Sequence, residues 1–156
     1  MYMKTLLAAV VCLTAIIISA SCSTSPEERE KQAAQATADA FAESYFNYRF
    51  ERSSGFCTDE STVWLRLAAS NVTQEDVDLL NSQPEEATAE ALDIDITNDT
   101  TALAVYRVSN FLLADTLGRP GRIVEHADFP ITLVKRGGKW KVRMEGPLRS
   151  ERQSRG

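Results

Sequence analysis

Cys57 and His126 are the two side chains in this sequence that nucleophilic chemistry would use, as a thiolate and as the base that forms it. His126 is the only histidine of the chain, and it lies far from Cys57 in the sequence. The stretch GFCTDES around Cys57 supplies no neighbour that would lower the pKa of the thiol. We therefore predict that Cys57 is a small buried residue. No cysteine and histidine cluster has metal-ligand spacing, and no metal or cofactor is expected.

Cys22 ends a different pattern, a short basic start followed by an apolar run. The run, LLAAVVCLTAIII at residues 6–18, is shorter than the roughly 20 residues that span a bilayer, so residues 1–21 are predicted to be a signal peptide. The next residues, Ser-Ala-Ser-Cys, resemble a bacterial lipobox, in which the cysteine becomes the first mature residue and is acylated. Ser19 departs from that pattern, which leaves open an ordinary cleavage with Cys22 as a free or paired thiol.

Acylation of Cys22, for example with palmitate, would tether the protein to a membrane, because each buried methylene contributes about 0.8 kcal/mol. Residues 22–27 then form a polar lipidated tether, and 28–146 form the folded domain. Residues 147–156, rich in arginine but without an apolar stripe, are predicted to be a disordered tail. No aspartate follows Cys22, a pattern that favours the outer membrane of the cell envelope. The side of the membrane that the domain faces stays open.

The charge balance excludes one class of partner. The 156 residues carry a formal net charge of −5, and loss of Lys4 with the signal peptide makes the mature chain more negative. Binding to nucleic acid or bare anionic lipid normally needs a concentrated basic face. Nucleic acid is therefore not an expected partner.

The first half of the sequence has helical periodicity. From Glu27 to about Arg52, apolar residues recur every three or four positions and end in the aromatic stretch YFNYRF. Thr58 is predicted to cap a second helix that directs Val63, Trp64, Leu67 and Ala68 inward. Thr73 and Asp76 have capping-box spacing ahead of a short third helix.

The second half has the two-residue period of strands. In ALDIDIT, Leu92, Ile94 and Ile96 alternate with polar residues, and TALAVYRVSNFLL continues as a longer strand. A third strand carries Phe129, Ile131 and Leu133, and Gly137-Gly138 turns the chain into a fourth strand with Trp140 and Val142. Helices followed by an antiparallel meander give an α+β fold.

The stretches YFNYRFE, FCTDESTVWL and LVKRGGKWKV together resemble the nuclear-transport-factor-2-like superfamily (cystatin-like cone fold), particularly its small bacterial lipoproteins. This resemblance implies N-terminal helices packed in the concave face of a curved, four-stranded antiparallel meander, often with a pocket at the open end of the cone. Members include isomerases, dehydratases, transport adaptors and domains without chemistry, so the fold does not fix the function.

Enzymes of that superfamily place a carboxylate or a His-Asp pair in the cone. His126 and Asp128 share a strand face, but their parity is opposite to that of Phe129, Ile131 and Leu133, which predicts that the pair points away from the core. Asp93 and Asp95 alternate with Leu92, Ile94 and Ile96, so they too are predicted to point away from the core. No catalytic motif of the enzymatic members matches this chain, so no catalytic residue is predicted.

Tyr45, Tyr48 and Arg107 are the candidate pocket-lining residues. The tyrosines offer apolar rings with hydroxyls that could orient a ligand, although plain core packing explains them as well. Arg107 lies within an apolar strand and needs a partner, such as Glu43, Glu51 or a bound anion, or else an exposed position.

These patterns predict a membrane-anchored lipoprotein of the cell envelope that acts as a non-catalytic binding or assembly module, with a homodimer through the sheet face or an envelope protein as partner. The alternative is a small-molecule binder, or an isomerase-like or dehydratase-like enzyme, that uses the cone pocket. A deep cavity with converging polar groups would favour the alternative, and a cavity filled by Phe41, Tyr45, Phe129 and Trp140 would favour the first interpretation.

Overall fold

The computed structural model describes residues 24–114 and 117–154. Five helices and four strands follow one another along these residues. The helices are α1 (Pro26–Phe46), α2 (Phe50–Ser54), α3 (Thr62–Ser70), α4 (Gln74–Ser82) and α5 (Glu151–Ser154), and the strands are β1 (Thr88–Asn98), β2 (Thr101–Leu113), β3 (Arg122–Arg136) and β4 (Lys139–Val142). The predicted signal peptide and Cys22 lie outside the described residues, and Pro26 and Glu27, assigned to the tether, belong to α1.

Helix α1 begins where the sequence indicates and ends earlier than predicted. Ser25 caps it by accepting the N–H of Glu28 at 3.1 Å, with Pro26 in the first turn. It ends at Phe46 because the Asn47 amide binds the carbonyls of Glu43 and Ala87, an alternative to helical pairing. Tyr48 then takes a left-handed backbone with φ +61, and the helical path restarts only at α2.

The second predicted helix has a different inward face. Thr58 leads into a single 3₁₀ turn at Asp59–Ser61, and α3 starts only at Thr62. The side chains of Thr58 and Ser61 are hydrogen bonded at 2.7 Å, and Ser61 also accepts the N–H of Met144. This anchoring buries Leu65 and leaves Val63 and Leu67 exposed, which corrects the prediction for those two residues. Trp64 packs against the core as expected.

Helix α4 has the predicted start. Thr73 accepts the N–H of Asp76, and the Asp76 carboxylate accepts the N–H of Thr73 at 2.7 Å, so the capping box is complete. The capping-box prediction is confirmed. None of the helices described here is long and apolar enough to cross a membrane.

The four strands form one antiparallel sheet in the order β1-β2-β3-β4, which confirms the predicted meander. Gly137 and Gly138 both have positive φ and make the tight turn between β3 and β4. A register shift between Ala91 and Asp93 interrupts the alternation of β1. As a result Leu92 is exposed, although Ile94 is buried as predicted.

Helix α1 packs across the concave face of this sheet, as the predicted α+β fold requires. The contact is made by fully buried residues of the helix and by the inward-facing residues of β2 and β3: Ala34, Ala38, Phe41 and Ala42, facing Ala102, Ala104, Tyr106, Val108, Ile131 and Leu133. Alanines on both surfaces let the helix lie close to the strands. Full burial of each large side chain in this layer contributes about 1.5–3 kcal/mol.

The predicted disordered tail is wrong for its described part, residues 147–154. Leu148 packs against the core, Ser150 is buried, and α5 lies against β3. Ser150 and Gln153 exchange hydrogen bonds across the start of α5. Packing of Leu148, burial of Ser150 and contact of α5 with β3 together order this segment, and its arginine-rich composition gives no sign of these contacts.

Candidate functional site

A cavity of about 300 Å³ lies at one end of the helix and sheet layers. Its walls come from the end of α1, from α2, α3, β2 and β3, and from the segment after β4 that was predicted to be disordered. Most of the lining side chains are apolar: Phe46, Phe50, Leu67, Ala68, Phe111, Leu112, Leu113, Ala114, Phe129, Pro147 and Leu148, with Tyr45, Tyr48, Asn71, Arg149 and Gln153 as the polar side chains. This volume is at the lower limit of small-molecule pockets.

Tyr45 lines the cavity, where the sequence analysis placed it. Its ring stacks on Phe41 with centroids 5.3 Å apart. Burial raises the pKa of Tyr45 to about 12, against a smaller opposing effect of the Leu148 backbone N–H. The hydroxyl therefore stays protonated at neutral pH beside the C-terminal segment.

Tyr48 lines the cavity as well. Its hydroxyl donates to the carbonyl of Leu112 at 3.0 Å. Burial raises its pKa well above the usual range of tyrosine. The left-handed turn after α1 thus directs a phenol to the end of β2 and fixes that wall.

Arg107 does not line the cavity. It lies on the outer face of the sheet, where it is the register partner of Asp128. Its Nε and Nη2 donate to the two oxygens of that carboxylate at 2.8 and 2.9 Å. The carboxylate that pairs with it is neither Glu43 nor Glu51, and Glu43 pairs instead with Arg49 and Arg52. The exposed alternative is the correct one.

The polar pairs on the strands point away from the cavity, as their parity predicts. His126 and Asp95 are exposed, and Asp93 is exposed beside the register shift of β1. The hydrogen bonds from Arg107 hold the pKa of the Asp128 carboxyl below its usual range. Because Arg107 occupies this carboxylate on the outer face, Asp128 does not orient His126 towards the cavity.

Two further candidate residues, Asn71 and Arg149, were not indicated by any pattern in the sequence. Asn71 is the C-cap of α3, and its Oδ1 is buried without a hydrogen-bond partner in the described structure. Arg149 is exposed at the cavity and forms no ion pair with a described residue. Arg149 reaches the cavity because the C-terminal segment is ordered. A sequence pattern that indicated packing of this segment, such as the apolar Leu148, would have been needed to predict its position.

The described lining offers little for acid-base catalysis. It contains no carboxylate, histidine or cysteine, and the pKa values of its two phenols lie far above neutral pH. General acid-base catalysis works best when a group titrates near the working pH. What this lining can do is bind: it surrounds an apolar body and presents a few hydrogen-bonding groups.

Cys57 lies outside this lining. It is 4% exposed, pairs through its backbone with Val142, and burial raises the pKa of its thiol to about 12. These observations agree with a small buried residue rather than a nucleophile. Within residues 24–114 and 117–154, no group of three or more potential ligands has metal-site geometry.

No family model and no curated protein matches this sequence. Among solved structures, it is similar to a protein from Novosphingobium aromaticivorans provisionally named a scytalone dehydratase, with 14% identity and a TM-score of 0.51 over 80% of this chain and 85% of the other. A protein of unknown function from Mycobacterium tuberculosis has 14% identity and a TM-score of 0.52 over 83% and 78%. An NTF-2-like protein of unknown function from Shewanella oneidensis has 11% identity and a TM-score of 0.49 over 72% and 93%.

The resemblance found in the sequence is confirmed at the level of the fold. The helices on the concave face of a four-stranded meander, together with the similarities to the Novosphingobium and Mycobacterium structures, show the nuclear-transport-factor-2-like fold. Identities this low show the fold alone.

Proposed function

We propose that the protein is a non-catalytic binding module, tethered to the bacterial cell envelope through a lipid on Cys22, whose cavity takes up a small and mainly apolar molecule. The observation that supports binding without catalysis is the composition of the cavity wall. Aromatic and aliphatic side chains dominate it, and none of its described side chains titrates near neutral pH.

The cavity combines features of both interpretations of the sequence. Phe41 and Trp140 fill the centre of the layer, as an assembly module requires, yet space remains beyond Tyr45 and Phe129. Apolar surface of this kind gains about 25 cal/mol for each Å² that a ligand removes from water. Occupation by a ligand is therefore favourable without any new charge interaction.

A fluorescent apolar probe tests the binding proposal. N-phenylnaphthylamine is neutral and emits strongly only when it is shielded from water. We expect saturable binding to the native protein. Ala68→Phe should reduce it, because Ala68 is half-buried on the cavity wall. Ala36→Phe, on the exposed face of α1, is the matched control and should bind as the native protein does. Equal binding by both variants would place the probe elsewhere and contradict the proposal.

The tether is tested separately. Intact mass of the detergent-extracted protein should show a chain that begins at Cys22 and carries acyl chains. Cys22→Ala should release the protein from the membrane fraction. An unmodified Cys22, or a mature chain that begins elsewhere, would remove the lipid anchor and with it the outer-membrane location.

An enzymatic role is the alternative, because one structural neighbour bears the name of a dehydratase. Such a role needs a group that transfers a proton, and the described cavity wall supplies none with a suitable pKa. We therefore place binding first.

A partner protein or a second copy would use the outer face of the sheet. Leu103 is 42% exposed there, on the same face of β2 as Arg107. Light scattering during gel filtration tests the homodimer. A monomer at all accessible concentrations would exclude it.

A further inference from the structure

We infer that the cavity selects a small aromatic or alicyclic carboxylate, whose ring lies among the phenylalanines and whose carboxylate meets Arg149 at the wall. This inference rests on the proposed binding function and specifies the chemical class of its ligand.

The first argument is the charge of the described cavity wall. Arg149 is its only formally charged side chain, and no acidic residue accompanies it. Other arginines near this end of the fold have ion pairs: Arg49 pairs with Glu43 and Glu86, and Arg143 pairs with Glu145 through Nη2, although its buried Nε has no partner in the described structure. A guanidinium that forms no ion pair with a described residue, beside an apolar space, matches a planar carboxylate through two parallel hydrogen bonds.

The second argument is the shape of the apolar space. Phe46, Phe111 and Phe129 contact one another through tilted and edge-on rings, with centroids 4.7 to 5.7 Å apart. Aromatic rings favour such offset contacts, so a further ring suits this wall. The volume of about 300 Å³ is at the lower end of the range for small-molecule pockets, which suits a compact body of two or three rings.

The same features exclude a cationic ligand. An ammonium group would meet Arg149 and find no carboxylate on the described wall, so its charge would be desolvated without compensation. The net charge of −5 opposes an anion at long range. That repulsion is screened beyond about 8 Å at physiological salt, whereas direct contact with Arg149 is screened less. The local charge therefore decides the preference.

Three naphthalene derivatives test the inference in calorimetric titrations of the native protein: naphthoate, the neutral naphthylmethanol and the cationic naphthylmethylamine. They share the ring system and differ in the charge of the polar group. We expect naphthoate to bind about tenfold more tightly than the alcohol, and the amine to bind most weakly. Raised salt should weaken naphthoate alone.

Three variants test whether Arg149 causes the preference for naphthoate over the alcohol. Arg149→Gln should remove the advantage of naphthoate and leave binding of the alcohol unchanged. Arg149→Lys should retain part of it, because the charge remains but the paired donors are lost. Arg29→Gln removes an exposed arginine near the start of α1 and should bind all three compounds as the native protein does.

The outcomes separate this inference from the proposed function. Equal affinity for naphthoate and the alcohol, or an advantage that survives in Arg149→Gln, would overturn the carboxylate class while binding in the cavity stands. Failure of all three compounds and of N-phenylnaphthylamine to bind would overturn both.

Discussion

The carboxylate of Asp76 accepts the backbone N–H of Gly121 at 2.6 Å and thereby joins the start of α4 to the start of β3. Its other oxygen closes the capping box with Thr73. Asp76 is fully buried, so one carboxylate satisfies donors from two distant segments. Both segments adjoin the end of β2 that forms a cavity wall.

Replacement of this carboxylate should destabilise the protein. In Asp76→Asn one oxygen becomes an NH₂ group, which leaves the N–H of Thr73 or of Gly121 without an acceptor. We expect a loss of about 1–3 kcal/mol in the free energy of unfolding, measured by urea denaturation at pH 7. Asp78→Asn, an exposed change two residues further along α4, is the control and should have little effect.

The pH dependence follows from the same contacts. Burial alone would raise the pKa of the Asp76 carboxyl, but hydrogen bonds from Thr73 and Gly121 outweigh it and hold the pKa below 3.8. The folded state thus binds the proton less readily than the unfolded state. The contribution of Asp76 to stability is complete well above pH 3.8 and is lost as the pH falls through the lower pKa of the folded state. The free energy of unfolding of the native protein should therefore fall in acid by this contribution, and that of Asp76→Asn should not. Parallel pH profiles of stability for the two proteins would contradict this prediction.

Gly121 tolerates no side chain. A Cβ atom there would lie 2.6 Å from the carbonyl oxygen of Leu113 and 3.0 Å from a methyl group of Leu112. Gly121→Ala should therefore displace the backbone at the cavity wall and destabilise the protein by about 1–3 kcal/mol. Gly146→Ala is the matched control, since a Cβ at Gly146 meets nothing within 4 Å. Equal urea midpoints for the two variants would show that the wall moves freely.

Elements defined by local patterns could be predicted from the sequence. The capping box of Thr73 and Asp76 needs residues three apart, and the Gly137-Gly138 turn needs two adjacent residues. The buried stripe of α1 likewise follows from its period. In each case the determining contacts lie within one element, where spacing alone fixes geometry.

Contacts between distant segments could not be predicted. The break after Phe46 depends on Asn47 binding to Ala87, and the order of the C-terminal segment depends on Leu148 reaching the core. Arg107 is a different case. Its parity opposes that of Tyr106 and Val108, which already indicates the outer face. The outward residues Leu103 and Val105 are also apolar, which makes β2 look apolar on both faces and obscures that alternation.

The position of Arg107 has a measurable consequence. Because it pairs with Asp128 on the outer face, Arg107→Gln should leave the affinity for naphthoate unchanged within about a factor of two, unlike Arg149→Gln. Stability should change little, because the pair is half exposed and screened by solvent. Calorimetric titration of the two variants side by side checks this. A large loss of affinity in Arg107→Gln would move the anion site to the outer face.

Tyr48 gives the sharpest test of how the cavity wall is held. Its hydroxyl donates to the carbonyl of Leu112, and burial keeps the phenol protonated. Tyr48→Phe keeps the ring but leaves this carbonyl without its donor, which should lower the free energy of unfolding by about 1–3 kcal/mol and speed hydrogen exchange at the end of β2. Tyr45→Phe is the matched comparison, because it removes a hydroxyl from the same cavity without touching this carbonyl, and exchange at the end of β2 should stay unchanged. If Tyr48→Phe alters neither stability nor this exchange, its hydroxyl does not hold the wall, and packing of the rings alone shapes the cavity.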